Sequence, residues 1–298
     1  MSKKEREILN SNSDSDFERF FESTSKLKVP SSNLGKEATW DKLMQSIEQE
    51  SAKKTKVVRI SPFIVRMSIA ATLIILFTIA TLSYKYSTLE FISQKGSTAN
   101  IVLPDSSSII LNADSRIEYR RFGWLSEREI KLNGEAYFSV KHGNRFSVLT
   151  EFNRNIIVTG TKFNVFTRGT QFEVKCFEGS IRVEIPKTKP ITLSKGKGIN
   201  FSIEAESPQQ VEVDSTLTTP KWIGGDYYFN NAPLSEVLDE LSRQFNVTIS
   251  IQGFKPETRN YTGFFKSKNL SQALDLVCIP MGLTYQISSD STSIMIKK

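Results

Sequence analysis

The chain has 298 residues, a formal net charge of +7, one histidine and two cysteines. So few Cys and His exclude a zinc site built on their clusters and a disulfide framework of the small secreted type. Much of the positive charge lies beside one apolar run. No stripe alternates Lys or Arg with aromatics, which argues against direct nucleic-acid binding.

Residues 1–62 are polar with two amphipathic patches. Phe17, Phe20 and Phe21 fall at i, i+3, i+4, and Trp40, Leu43, Met44 and Ile47 at i, i+3, i+4, i+7, so each set lines one helix face. Pro30, Ser31 and Ser32 separate them. Two readings stand: the faces pack on each other, or the segment completes its fold on a partner because its core is thin. Lys53 to Ser61 reads as a juxtamembrane linker.

An uncharged apolar run extends from Met67 to Leu82 and on through Ser83 and Tyr84, with Phe63, Ile64 and Val65 ahead of it. A bilayer core requires about 20 mostly apolar residues in helix, so 63–84 is expected to span a membrane. Arg66 lies near one end, where it can snorkel to the headgroups. The run starts too far along the chain for a cleavable signal peptide. Lys53, Lys54, Lys56, Arg59 and Arg66 flank the N-terminal side, whereas Lys85 stands nearly alone on the other. Basic flanks stay cytoplasmic, so 1–62 is expected inside and 85–298 outside, with Tyr84 and Tyr86 at the outer interface. Residues 85–94 read as a linker.

From 95 to 213 the period changes to short alternating runs separated by turn signals at Pro104-Asp105, Asn133-Gly134, Glu178-Gly179 and Gly196-Lys197-Gly198. Asn133-Gly134 is the strongest hairpin signal. An all-β domain follows, either a sandwich or a short solenoid. Cys176 shares a strand face with Phe172 and Val174, and Cys278 lies four residues after Leu274 on a helical pattern, so both read as core thiols.

Residues 222–298 contain an internal repeat offset by 36 positions. Phe229, Leu234, Ser235, Leu238 and Asp239 correspond to Phe265, Leu270, Ser271, Leu274 and Asp275. Each copy reads strand, turn, amphipathic helix, strand, and Ser293–Ile296 adds a last strand. Two βαβ-like units make a small α+β domain. The terminal strand is expected at an open edge, where Ser293, Ile294, Met295 and Ile296 could pair with a partner strand. An edge covered by its own domain is the alternative.

No catalytic constellation emerges. His142 sits beside Gly143 in a turn. There is no nucleophile elbow, phosphate loop or metal-binding helix, and no carboxylate pair. On residues alone the chain is a binder that couples two compartments, with no cofactor.

Three stretches carry a family resemblance: Leu103-Pro104-Asp105 through Asn112, Leu132 through Val140 with Gly134, Glu135 and Ala136, and Val158 through Val165 with Gly160, Thr161, Phe163 and Asn164. They resemble the signature stretches of the FecR family of anti-sigma factors. Ser106, Arg145 and Thr159 stand where that family favours Gly, Pro and Leu. Residues from Trp222 through Phe229 and Leu234 to Ile296 resemble the family's C-terminal domain. That domain is similar to the short N-terminal signalling domain of secretins and TonB-dependent transducers. Residues 1–62 hold no Cys or His, so the chain is not of the zinc-containing anti-sigma type.

The resemblance implies a single-pass inner-membrane regulator with its N-terminus in the cytoplasm and its C-terminus in the periplasm. A TonB-dependent outer-membrane transducer would bind an iron chelate or a glycan. Its periplasmic signalling domain would contact the exported part, and the signal would alter the hold of 1–62 on an extracytoplasmic-function sigma factor. Periplasmic and intramembrane proteases are further expected partners. Transcription of uptake genes follows. The sigma contact is expected at Phe17, Phe20, Phe21, Trp40, Leu43, Met44 and Ile47. Some members of the family cut their own chain within a Gly-Thr motif, so Gly160-Thr161 is either a scission point or a tight strand connection. In the first case the Thr161 hydroxyl attacks the Gly160 carbonyl and water cleaves the resulting ester. The rival from another class is a membrane-tethered envelope protein or enzyme unrelated to transcription. It would require a pocket of convergent titratable groups, and none is legible.

Overall fold

The sequence expectations meet a computed structural model that describes residues 22, 24, 35–51, 61–124, 126–202 and 207–298. It divides into two compact units, Met1–Ala71 and Thr72–Lys298. Helix α1, Lys36–Ser51, is built of good helix formers with neither Gly nor Pro, and Glu37 in its first turn suits the helix dipole. Phe17, Phe20, Phe21 and the basic cluster Lys53, Lys54, Lys56 and Arg59 lie outside the described residues.

Helix α2, Pro62–Tyr86, starts with proline at its first position, where the missing N–H costs nothing, and the Phe63 N–H donates to Ser61 Oγ at 3.3 Å. Its apolar side chains are exposed all round, from Phe63 to Phe77 to Leu82. Its hydroxyls turn back on the helix: Ser68, Thr78 and Thr81 each donate to the carbonyl three residues earlier, at 2.8, 2.8 and 2.9 Å. At about 1.5 Å per residue, 25 residues exceed a ~30 Å hydrocarbon core. Among the described residues this is the one helix long and apolar enough to cross a membrane.

Thirteen strands follow: β1 (Thr88–Ser93), β2 (Ala99–Val102), β3 (Ser108–Leu111), β4 (Ser115–Arg120), β5 (Arg128–Ser139), β6 (Phe146–Thr150), β7 (Arg154–Val158), β8 (Lys162–Arg168), β9 (Gln171–Glu178), β10 (Ser180–Glu184), β11 (Ile191–Ser194), β12 (Lys197–Ser202) and β13 (Gln209–Glu212). They form two sheets that share β5. Its first half pairs with β4 and β6, in the order β1-β4-β5-β6-β7-β10-β11. Its second half pairs with β3 and β8, in the order β2-β3-β5-β8-β9-β12-β13. One core lies between them, with Ile117, Ile130, Phe146 and Val183 from the first sheet and Ile109, Phe138, Phe163 and Val174 from the second. Alternating burial along β4 and β9 is the half-buried strand pattern.

Two expectations change here. Residues 85–94 are not a linker, because Thr88–Ser93 forms β1, paired along its length with β4. Asn133-Gly134 is not a hairpin turn but the bend inside β5 where the strand passes between sheets. Gly134 has φ +104°, and a Cβ there would come within 2.5 Å of Ser115 Oγ, so only glycine fits.

The C-terminal part has β14 (Asp226–Pro233), α3 (Leu234–Phe245), β15 (Thr248–Gln252), β16 (Asn260–Lys266), α4 (Leu270–Cys278), β17 (Thr284–Ile287) and β18 (Ser293–Lys297). Strands β14 and β16 pair with each other, and β15, β18 and β17 form a second small sheet in that order. Its core gathers Leu234, Val237, Leu238 and Leu241 of α3 with Phe265, Leu274, Val277, Ile294 and Ile296. Tyr137 and Phe177, on the outer face of the β sandwich, meet edge to face and belong to that same cluster with Trp222 and Tyr227.

Candidate functional site

Asn112 follows β3, Glu135 lies on β5 just past its bend, and Asn164 lies on β8, where β8 is paired with β5. Each is a buried polar residue within an apolar stretch. The Glu135 carboxylate accepts from Asn112 Nδ2 and Asn164 Nδ2, both at 2.8 Å. The C-terminal part closes the network. Trp222 Nε1 donates to Asn164 Oδ1 at 3.0 Å, while Tyr227 OH and Gln244 Nε2 donate to Asn112 Oδ1 at 3.2 and 3.0 Å. Gln244 Nε2 also donates to Glu240 Oε1 at 2.7 Å, and Arg243 binds Glu240 Oε2 through Nε and a terminal nitrogen. Arg168 donates to Asp114 O, Ala113 O and Ser115 Oγ beside them.

This seam is polar, buried and satisfied at each of those atoms, which is the condition under which a buried network fixes one geometry. Burial, then the neighbouring Glu240 charge, pushes the Glu135 carboxyl up to about 7, against the hydrogen bonds from Asn164 and Asn112 and the Arg168 charge. The seam therefore ties α3 and Trp222 to β3, β5 and β8, and its strength depends on one proton.

Residue spacing alone does not mark this site. Its only trace is position: Asn112, Glu135 and Asn164 fall one in each of the three stretches quoted above, and the fold brings the three together.

The sites expected from sequence stand elsewhere. Trp40, Leu43, Met44 and Ile47 line α1 at 61, 51, 48 and 50% exposure. That is a full apolar face which the described residues leave open. Ser293–Ile296 is not an edge. Strand β18 is the centre of its sheet, parallel to β15 on one side and antiparallel to β17 on the other, with Ile294 and Ile296 in the core. Its backbone groups are already paired, so it cannot accept a partner strand; the edges of that sheet are β15 and β17.

Gly160 and Thr161 join β7 to β8. Thr161 is buried and donates from Oγ1 to Ser180 O at 2.9 Å. A Cβ on Gly160 would come within 2.8 Å of His142 Cα, and one on Gly179 within 2.9 Å of both Gly160 O and Thr161 Oγ1. Cys176 and Cys278 are buried, and burial pushes both thiols up to about 11, as expected of unreactive core thiols. Among the described residues no three His, Cys, Asp or Glu side chains converge to hold a metal.

Residues 90–182 match the family described as FecR protein, and 226–294 match the one described as FecR, C-terminal. Two crystal structures of a candidate anti-sigma factor from Parabacteroides distasonis ATCC 8503, at 2.50 and 1.65 Å resolution, are similar in fold. Both are 24% identical in sequence, with TM-scores of 0.64 and 0.63 over 71 and 70% of this chain and 99% of theirs. No curated protein matches the chain. The sandwich and the C-terminal part are thus matched separately and in order, over stretches that together exceed half the residues, and the chain belongs to the FecR family.

Proposed function

We propose that this chain is a single-pass regulator of an extracytoplasmic-function sigma factor, held in the inner membrane by α2 with its N-terminus in the cytoplasm. The observation that carries this reading is the open apolar face of α1. An exposed Trp, Leu, Met and Ile in one row form a helix-in-groove ligand, and in a chain of this family the sigma factor is the partner that such a face suits. The unit from Thr88 to Lys298 receives the signal in the periplasm. Its source is the signalling domain of a TonB-dependent transducer loaded with an iron chelate or a glycan, and the output is transcription of uptake genes. The Glu135 seam makes the receiving unit respond as one body, so that a contact on the C-terminal part reaches the sandwich to which α2 is joined. The chain acts by binding and not as an enzyme. Gly160-Thr161 is read as a structural connection, since the close approaches of His142 and Gly179 account for its glycine and the Ser180 carbonyl occupies the hydroxyl.

The experiment is co-purification of residues 1–62 with the sigma factors of the source cell. One extracytoplasmic-function sigma factor should be retained by the native segment and lost with Leu43→Asp. Retention by both would sink the assignment of that face. Periplasmic reporters fused after Lys298 should be active and those fused at Glu50 silent.

A further inference from the structure

One residue, Ser87, separates the end of α2 from the start of β1. Strand β1 then pairs with β4 from Thr88 opposite Arg120 to Ser93 opposite Ser115. The register therefore places the β4–β5 loop, which follows Arg120, beside the end of α2. Two contacts hold it there: the Arg121 N–H donates to Ser87 O at 2.9 Å, and a Cβ on Gly123 would come within 2.4 Å of the Tyr84 hydroxyl, so the loop backbone lies against the Tyr84 ring. The loop is tight, with Ser126 N and Glu127 N both donating to Gly123 O. It buries Trp124 but leaves Phe122 50% exposed, with the Arg121 guanidinium 5.8 Å from its ring. Arg120 is engaged with Glu127 at 3.2 Å, whereas Arg121 is exposed.

We propose that this loop is a second, peripheral contact with the membrane: Phe122 enters the outer leaflet at headgroup depth and Arg121 binds the phosphate of an anionic phospholipid. The inference rests on the reading of α2 as a membrane span. If Tyr84 and Tyr86 lie at the interface, a loop packed on Tyr84 lies there too. Aromatic rings are enriched at both membrane–water interfaces, and an exposed guanidinium beside one can pair with a lipid phosphate. The bilayer is the occupant because the patch is continuous with the spanning helix and its free charge is complementary to anionic headgroups. The contact pins the sandwich at two points, so the exported unit tilts with α2 instead of swivelling on Ser87.

The test uses the full chain reconstituted in phosphatidylglycerol–phosphatidylcholine vesicles. Nitroxide labels are placed at Phe122→Cys, at Thr78→Cys within α2, and at Phe152→Cys. Phe152 is as exposed as Phe122, at 51%. It follows the end of β6 that lies away from the β4–β5 loop, since β6 runs parallel to β5 from Phe146 opposite Arg128. The native thiols are buried and stay unlabelled. Labels at 122 and 78 should collide with oxygen in preference to a water-soluble nickel complex, and the label at 152 should do the reverse. Adding Arg121→Glu should raise nickel collisions at 122 severalfold. A label at 122 as wet as that at 152, with 78 in lipid, overturns the loop contact and leaves the span standing. A wet label at 78 overturns the span, and the loop contact with it. An unchanged label at 122 in the Arg121→Glu chain overturns the phosphate contact.

Discussion

Helices α1 and α3 carry the same apolar spacing and meet opposite ends. In α3, Leu234, Val237, Leu238 and Leu241 fall at i, i+3, i+4, i+7 and are no more than 3% exposed. In α1, Trp40, Leu43, Met44 and Ile47 fall at that same spacing and are about half exposed. Periodicity states that a helix has a face to bury. It does not state whether the same chain covers it. Around α3 the chain does so, with Phe265 and Leu274 close by in sequence and in space. Around α1 the described residues supply nothing comparable, so its apolar face stays open among them.

The comparison breaks most sharply at the core helix. Leu241→Ala removes a fully buried side chain and should cost about 2–5 kcal/mol of the stability of the unit Thr72–Lys298. Thermal denaturation should show a lowered midpoint, and an unchanged one would mean that α3 does not hold its domain. Next comes the seam that anchors α3. Because the Glu135 carboxyl is raised to about 7, the native state holds a proton that the unfolded chain has released. Its contribution is complete below the ordinary carboxylate range and is lost as pH rises through about 7, with a slope approaching 1.4 kcal/mol per pH unit. Glu135→Gln should flatten that slope in a series of melts between about pH 4.5 and 7; a slope identical to the native one would place the proton elsewhere. On the other helix, Trp40→Ala should weaken sigma binding by more than about 2 kcal/mol if Trp40 anchors the interface. It should leave the melting of the unit Thr72–Lys298 untouched.

The two helices also mark where sequence reading reached and where it stopped. Strands with clear alternation, such as Ser115–Arg120 and Gln171–Glu178, were legible because one face is buried and the other wet. Strand β1 was not, because Thr88–Ser93 follows the apolar helix after one residue and reads as its flank. The continuity of β5 was hidden by Asn133-Gly134, whose local preference for a hairpin gives way to pairing with four neighbouring strands. The central place of β18 depends on pairing with β15 some 45 residues earlier, which no local pattern encodes. The seam was invisible for the same reason. Tyr227 and Gln244 meet Asn112 across 115 and 132 residues of chain, and a single Asn or Glu inside an apolar run looks like ordinary alternation until the fold closes.

The smallest effect is expected at Gly160-Thr161, where a scission site and a structural connection can be told apart. Thr161 Oγ1 spends its proton on Ser180 O, which links the start of β8 to the start of β10 across the two sheets. Thr161→Ala should remove one neutral hydrogen bond and leave the Ser180 carbonyl without its side-chain donor, for about 1 kcal/mol. Thr161→Ser keeps the hydroxyl and should recover most of that loss. For acyl transfer the same oxygen would have to leave Ser180 and reach the Gly160 carbonyl, while Gly179 already packs on both groups. The unit Thr72–Lys298 should therefore purify as one chain, with signalling by the Thr161→Ala variant close to native. A new N-terminus at Thr161, abolished in that variant, would instead mean that the connection opens far enough for the hydroxyl to attack, and that the close packing of His142 and Gly179 sets the geometry of the break.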